Sequence, residues 1–114
     1  MQRFADRRVI VTGAGSGIGQ ATVARLLDEG ATVVAYDVSA DGLTRTAIAA
    51  DDAGTAKRLI AAVLDISAED DVIAAVDAAI GDLGGLEVLV NAAAIQRCAH
   101  THEHTSADWN ATIA

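Results

Sequence analysis

Proline is absent from this 114-residue sequence, and cysteine, lysine and tyrosine occur once each, as Cys98, Lys57 and Tyr36. A lone cysteine forms no internal disulfide, which fits a reducing compartment, and a cytoplasmic location is expected. Aromatic side chains are almost as scarce, with only Phe4, Tyr36 and Trp109 present. Because 52% of the residues are nonetheless hydrophobic, the core must be aliphatic and rich in alanine. Basic residues are outnumbered, 8 against 16 acids, for a net charge of −8. An acidic chain repels phosphate polymers, so DNA and RNA are not expected partners. No apolar run approaches the ~18 residues of a membrane span. The start, Met1 to Asp6, has no apolar stretch ahead of a cleavage site, so no secretory leader is expected.

Two periods alternate along the chain. Val9 to Val11, Thr32 to Tyr36, Leu59 to Leu64 and Leu86 to Val90 are short, partly β-branched apolar runs. They lack clean polar alternation, which is the pattern of strands buried on both faces. Helical spacing fills the intervals. Ile18 to Glu29 is stopped by Gly30, and about Ala40 to Ala50 puts Leu43, Ala47 and Ala50 on one face. A third helix carries Val72, Ile73, Val76, Ala79, Ile80 and Leu83 and ends at Gly84-Gly85. Ser67 and Asp70 have the spacing of a capping box at its start. Thr105 and Asp108 open a fourth helical pattern around Trp109. Alternating strands and helices predict an α/β fold with a parallel sheet and crossover helices. The sequence stops at Ala114 inside the fourth pattern, which reads as a truncated chain.

Thr12-Gly13-Ala14-Gly15-Ser16-Gly17-Ile18-Gly19 follows the first strand and opens the first helix. Glycines permit a sharp turn and a close backbone approach, and a helix N-terminus favours an anion. A bare flexible turn is the alternative. Asp37 ends the next strand, where a carboxylate accepts hydrogen bonds from ribose hydroxyls and repels a 2′-phosphate. Neither Ser16 nor Val38 is basic, so NAD is the expected cofactor rather than NADP. Asp37 also suits a plain turn before a helix.

The spacing Gly13-x-x-x-Gly17-x-Gly19 resembles the TGxxxGxG pattern of the short-chain dehydrogenase/reductase family. Asp65, after the third strand, resembles that family's adenine-contacting aspartate, although acids before helices also complement the helix dipole. Asn91-Ala92-Ala93-Ala94 resembles the family's NNAG element, with alanine for the second asparagine and for the glycine. Asn91 also suits a role in tying strand ends together. The resemblance covers the whole chain. It implies a Rossmann-like doubly wound parallel sheet of four strands in the order 3-2-1-4. The implied cofactor contacts are Gly13, Gly15, Ser16, Gly17, Ile18, Gly19, Asp37, Val38, Asp65, Ile66, Asn91, Ala92 and Ala93.

The family's catalytic asparagine, serine, tyrosine and lysine find no counterpart. Tyr36 lies in the second strand, and four residues on stands Ala40. The expectation is therefore an NAD-binding domain over residues 1–114 whose catalytic half is absent. The complete protein would transfer hydride between nicotinamide and a small-molecule carbonyl or secondary alcohol, as a homo-oligomer. The competing readings are a stand-alone dinucleotide-binding module and a non-catalytic truncated product.

Cys98, His100, His102 and His104 alternate, so an extended segment would direct all four side chains to one side. Zinc accepts both residue types, but the spacing matches no usual zinc pattern, so no metal site is expected. A solvated loop and a loop bordering the substrate cleft are the other readings.

Overall fold

The computed structural model describes residues 2–93. β1 (Arg8–Thr12), α1 (Gly17–Asp28), β2 (Thr32–Asp37), α2 (Ala40–Asp52), β3 (Leu59–Val63), α3 (Glu69–Leu83) and β4 (Val88–Asn91) follow one another, with a short 3-10 turn before β3. The strands form one parallel sheet in the order β3-β2-β1-β4, as expected. Thr12 pairs with Tyr36 on one side and with Asn91 on the other, so the carboxyl ends of the central strands meet at one rim.

The sheet has two covered faces. Val9, Val11, Val33 and Ala35 pack with Val23, Leu26 and Leu27 of α1 and with Leu43 and Ala50 of α2. Ile10, Val34 and Tyr36 face the other way and meet Ala79 of α3. Ile10, Leu27, Val9, Val11, Val23, Val33 and Val34 are the largest fully buried side chains, each contributing about 2 kcal/mol.

Three local expectations need correction. Burial on both faces holds for β1 and β2 but not for β3, where Val63 is 60% exposed, or β4, where Leu89 is 55% exposed. Both strands lie at edges among the described residues, so fewer elements flank them. Leu86 and Glu87 precede β4 rather than starting it. Ser67 does not cap α3. The cap position is Ala68, and the Ser67 hydroxyl donates to Asp65 at 2.6 Å instead. Ser67 stands one residue ahead of the cap position, out of register for accepting from the first amides of the helix. The fourth helical pattern, Trp109 and the Cys98–His104 stretch lie outside the described residues.

Two carboxylates fasten the rim opposite the glycine loop. Glu29, at the end of α1, is 3% exposed and accepts from both Arg3 and Arg25. Glu87 accepts from the Arg8 amide at 2.8 Å and from its guanidinium. These arginine hydrogen bonds hold each carboxyl near a pKa of about 2, below its ordinary 4.5. A carboxyl depressed by folding stabilises the fold above its unfolded pKa and loses that contribution as pH falls toward its folded pKa. Denaturant midpoints should therefore hold near neutrality and drop between about pH 4.5 and about pH 2. Glu29→Gln and Glu87→Gln should each flatten that drop. A drop of unchanged size in both variants would show that other groups control acid unfolding.

Candidate functional site

At the carboxyl rim the chain leaves a cleft of about 700 Å³. Parallel α/β sheets place their ligand crevices at this rim. Of the sequence-predicted contacts, Gly13, Ser16, Gly17, Ile18, Gly19, Asp37, Val38, Asp65, Ile66, Ala92 and Ala93 line it, joined by Tyr36, Leu64 and Ser67. Gly15 and Asn91 lie outside the lining. Gly15 is a buried residue of the loop, and Asn91 ends β4.

Each loop glycine answers a different demand. Gly13 has φ +67, and a Cβ there would sit 2.6 Å from the Ala92 carbonyl carbon. The chain leaving β4 passes directly against it. A Cβ on Gly19 would sit 1.9 Å from the Gly13 oxygen, so the first turn of α1 rests on the loop itself. A Cβ on Gly15 would meet the Asp37 carboxylate and Gly42 of α2. Gly17 differs from these three. Its φ is +53, and a Cβ there would meet nothing within 4 Å. That glycine serves backbone direction, and the space in front of it is open.

The N-terminus of α1 is unlike those of α2 and α3. Ser39 caps α2 by accepting from the Gly42 amide at 3.0 Å, and Glu69, Asp70 and Asp71 fill the first turn of α3. α1 has Ser16 at the cap with no side-chain hydrogen bond, and no acid in its first turn. Among the described residues its leading amides have no acceptor. Such an end attracts an anion. The donor set and the open space before Gly17 fit a pyrophosphate.

Asp37 has two tasks in this geometry. Its Oδ2 accepts from the Gly15 amide at 2.9 Å and its Oδ1 from the Ser39 amide at 2.9 Å. The carboxylate is thus held in a fixed orientation on the cleft wall, and it fastens the glycine loop to the end of β2. Asp65 is also set in place. The Ser67 hydroxyl and amide both donate to its Oδ1 and lower its pKa below the ordinary carboxylate value. Asp37 and Asp65 are the charged residues among the described lining, and both are acidic. The exposed apolar side chains Ile18, Val38 and Ile66 stand around them. Thr12, rather than Asn91, stitches the strand ends among the described residues. Its hydroxyl accepts from the Ala93 amide at 3.3 Å and lies 3.4 Å from the Val90 oxygen.

Tyr36 borders the cleft, yet its hydroxyl donates to the Ala75 carbonyl of α3 at 3.0 Å. Burial, reinforced by Asp82, pushes its pKa up. A tyrosine that exchanges protons with substrate needs the opposite shift. Among the described residues no group of three or more potential metal ligands converges. No helix among them is long and apolar enough to cross a membrane.

This chain belongs to the short-chain dehydrogenase family, whose model matches residues 7–114. Among curated proteins it is similar to cis-4-hydroxycyclohexanecarboxylate dehydrogenase of Sinomonas cyclohexanicum. The two are 42% identical over 113 residues, covering 98% of this chain and 44% of that protein. Levodione reductase of Leifsonia aquatica is 34% identical over 113 residues, with 98% of this chain and 42% of that protein covered. Among solved structures, carveol dehydrogenase from Mycobacterium avium in complex with NAD superposes with a TM-score of 0.88 at 25% identity. That match covers 99% of this chain and 45% of the other. The chain thus spans under half the length of these relatives.

Proposed function

We propose that this chain forms the adenosine and pyrophosphate subsite of an NAD-dependent oxidoreductase. The observation that carries this reading is the Asp37 carboxylate, fixed on the cleft wall beside a glycine loop whose helix end has no anion of its own. The leading amides of α1, from Ser16 to Gly19, would hold the pyrophosphate. Asp37 would accept from the adenosine ribose hydroxyls, each of its oxygens keeping a free lone pair beside its backbone amide. Val38 and Ile66 would flank the adenine, and Asp65 would accept from its exocyclic amine. Asn91, Ala92 and Ala93 would border the nicotinamide side.

When bound, the nicotinamide cofactor supplies the hydride acceptor or donor. The proton-exchanging residues belong, on this reading, to chain beyond residues 1–114, because Tyr36 is committed to Ala75 and Lys57 is remote from the rim. The complete protein would act in the cytoplasm, as a homo-oligomer, on a small-molecule carbonyl or secondary alcohol. A coding sequence continuing past Ala114 into a Tyr-x-x-x-Lys pattern would support that half of the proposal, and a stop codon there would refute it.

Calorimetric titration tests the cofactor. NAD should bind more tightly than NADP, because a 2′-phosphate would face Asp37 with no cation among the described lining residues to receive it. Equal or reversed affinities would overturn the assignment of Asp37.

A further inference from the structure

Thr46 is a polar residue in the middle of α2, 3% exposed and outside the lining of the cleft. Its hydroxyl lies 2.7 Å from the Ala14 carbonyl oxygen and 3.1 Å from the Gly42 oxygen one turn back. One hydroxyl hydrogen serves one acceptor, and the shorter contact is with the loop. The hydroxyl in turn accepts from Gln20 Nε2 at 3.0 Å, and the same amide group lies 3.4 Å from the Gly15 oxygen. On the opposite side, the Ala14 amide donates to the Tyr36 oxygen at 3.0 Å and the Gly15 amide to Asp37 at 2.9 Å. Both carbonyls immediately ahead of Ser16 are therefore held away from the cleft, and both amides are held toward β2.

Orientation matters here because a peptide unit has two ends. Were either of these peptides to rotate, a carbonyl oxygen would turn toward the place where an anion is to sit. The fastening keeps the partial negative charges behind the loop and the amides of α1 in front.

We propose that Thr46, supported by Gln20, is a positioning residue that holds the glycine loop ready for a diphosphate group. The proposal rests on the dinucleotide-binding reading given above. Thr46→Val keeps the shape and removes the hydroxyl. It leaves the Ala14 oxygen and the Gln20 amide without their partner, a loss that costs about tenfold in binding where the loop must be fixed. Thr46→Ser restores the hydroxyl.

The full 114-residue chain would be titrated with NAD, ADP and adenosine, by calorimetry for the first two and by chemical-shift changes for the third. Thr46→Val should weaken NAD and ADP about tenfold and leave adenosine unchanged. Thr46→Ser should recover most of the loss. Gln20→Ala should weaken ADP severalfold, and it carries the test alone if Thr46→Val does not fold. A variant that merely loosened the fold would weaken all three ligands alike, and that result would overturn the proposal. Unchanged ADP affinity in Thr46→Val, or in Gln20→Ala where that variant stands alone, would also overturn it while leaving the dinucleotide reading intact. Failure of the unaltered chain to bind either NAD or ADP would remove both.

Discussion

Gly19→Ala should destabilise the chain by about 3 kcal/mol, although alanine is the better helix former by about 1 kcal/mol. Two effects of opposite sign compete at this position. The backbone effect favours alanine, because glycine loses more conformational freedom on folding. The packing effect opposes it, because the added Cβ would lie 1.9 Å from the Gly13 oxygen and 2.6 Å from the Gly13 carbonyl carbon. Neither atom has room to yield. Gly13 itself lies close against the Ala92 backbone, so the strain would pass into the chain leaving β4. Gly81 gives the control within the same molecule. It lies in α3, and a Cβ there would meet nothing within 4 Å. Gly81→Ala should therefore stabilise by about 0.5–1 kcal/mol. Thermal melts would read the pair as shifts in opposite directions, on the order of 15 °C down for Gly19→Ala and a few degrees up for Gly81→Ala. A Gly19→Ala melt at or above that of the unaltered chain would mean that α1 does not rest on the loop.

The architecture was legible because it depends on order and period. Runs such as Val9 to Val11 and Thr32 to Tyr36, separated by helical stripes, leave few topologies open to a parallel sheet. Edge and centre were not distinguishable in the same way. Ile60, Val63 and Leu89 are as apolar as Val33 and Val34, yet they are exposed. A strand's neighbours, not its own residues, decide which faces are covered. Ser67 shows a related limit. Its spacing to Asp70 fits a capping box, but α3 begins one residue later than that box requires, with Ala68 at the cap, and the Ser67 hydroxyl donates to Asp65.

The front of the cleft was legible for a different reason. Glycines at fixed spacing, and an acid at the end of the next strand, report local demands on backbone and charge. The back of the loop reports nothing locally. Thr46, Gln20 and Gly42 matter only because α2 lies across Ala14 and Gly15, a contact between elements far apart in the chain. One signal was present. Thr46 falls on the stripe shared by Leu43 and Ala50, where a hydroxyl is out of place on a buried face. The sequence period instead favoured Ala47 for that stripe, since small apolar residues fit a packed face without needing a partner.

The joint task of Asp37 leads to a second large expected effect. Asp37→Ser should weaken NAD about 10- to 100-fold without creating tight NADP binding. If the carboxylate were only a charge facing the 2′ position, removing it would relieve a repulsion of about 1–3 kcal/mol and favour NADP accordingly. The same carboxylate also accepts from the Gly15 and Ser39 amides. Gly15 is buried, and leaving its amide without an acceptor costs about 1–3 kcal/mol. The gain and the loss are of similar size for NADP, so its affinity should stay within about tenfold of the starting value. For NAD there is no repulsion to relieve, and the full loss appears. Asp37→Asn should fall between, because one side-chain oxygen can still receive one of the two amides. Calorimetric titration of the three proteins with both cofactors decides the matter. If Asp37→Ser binds NADP as tightly as the unaltered chain binds NAD, the carboxylate is a charge gate alone and the glycine loop holds its shape without it.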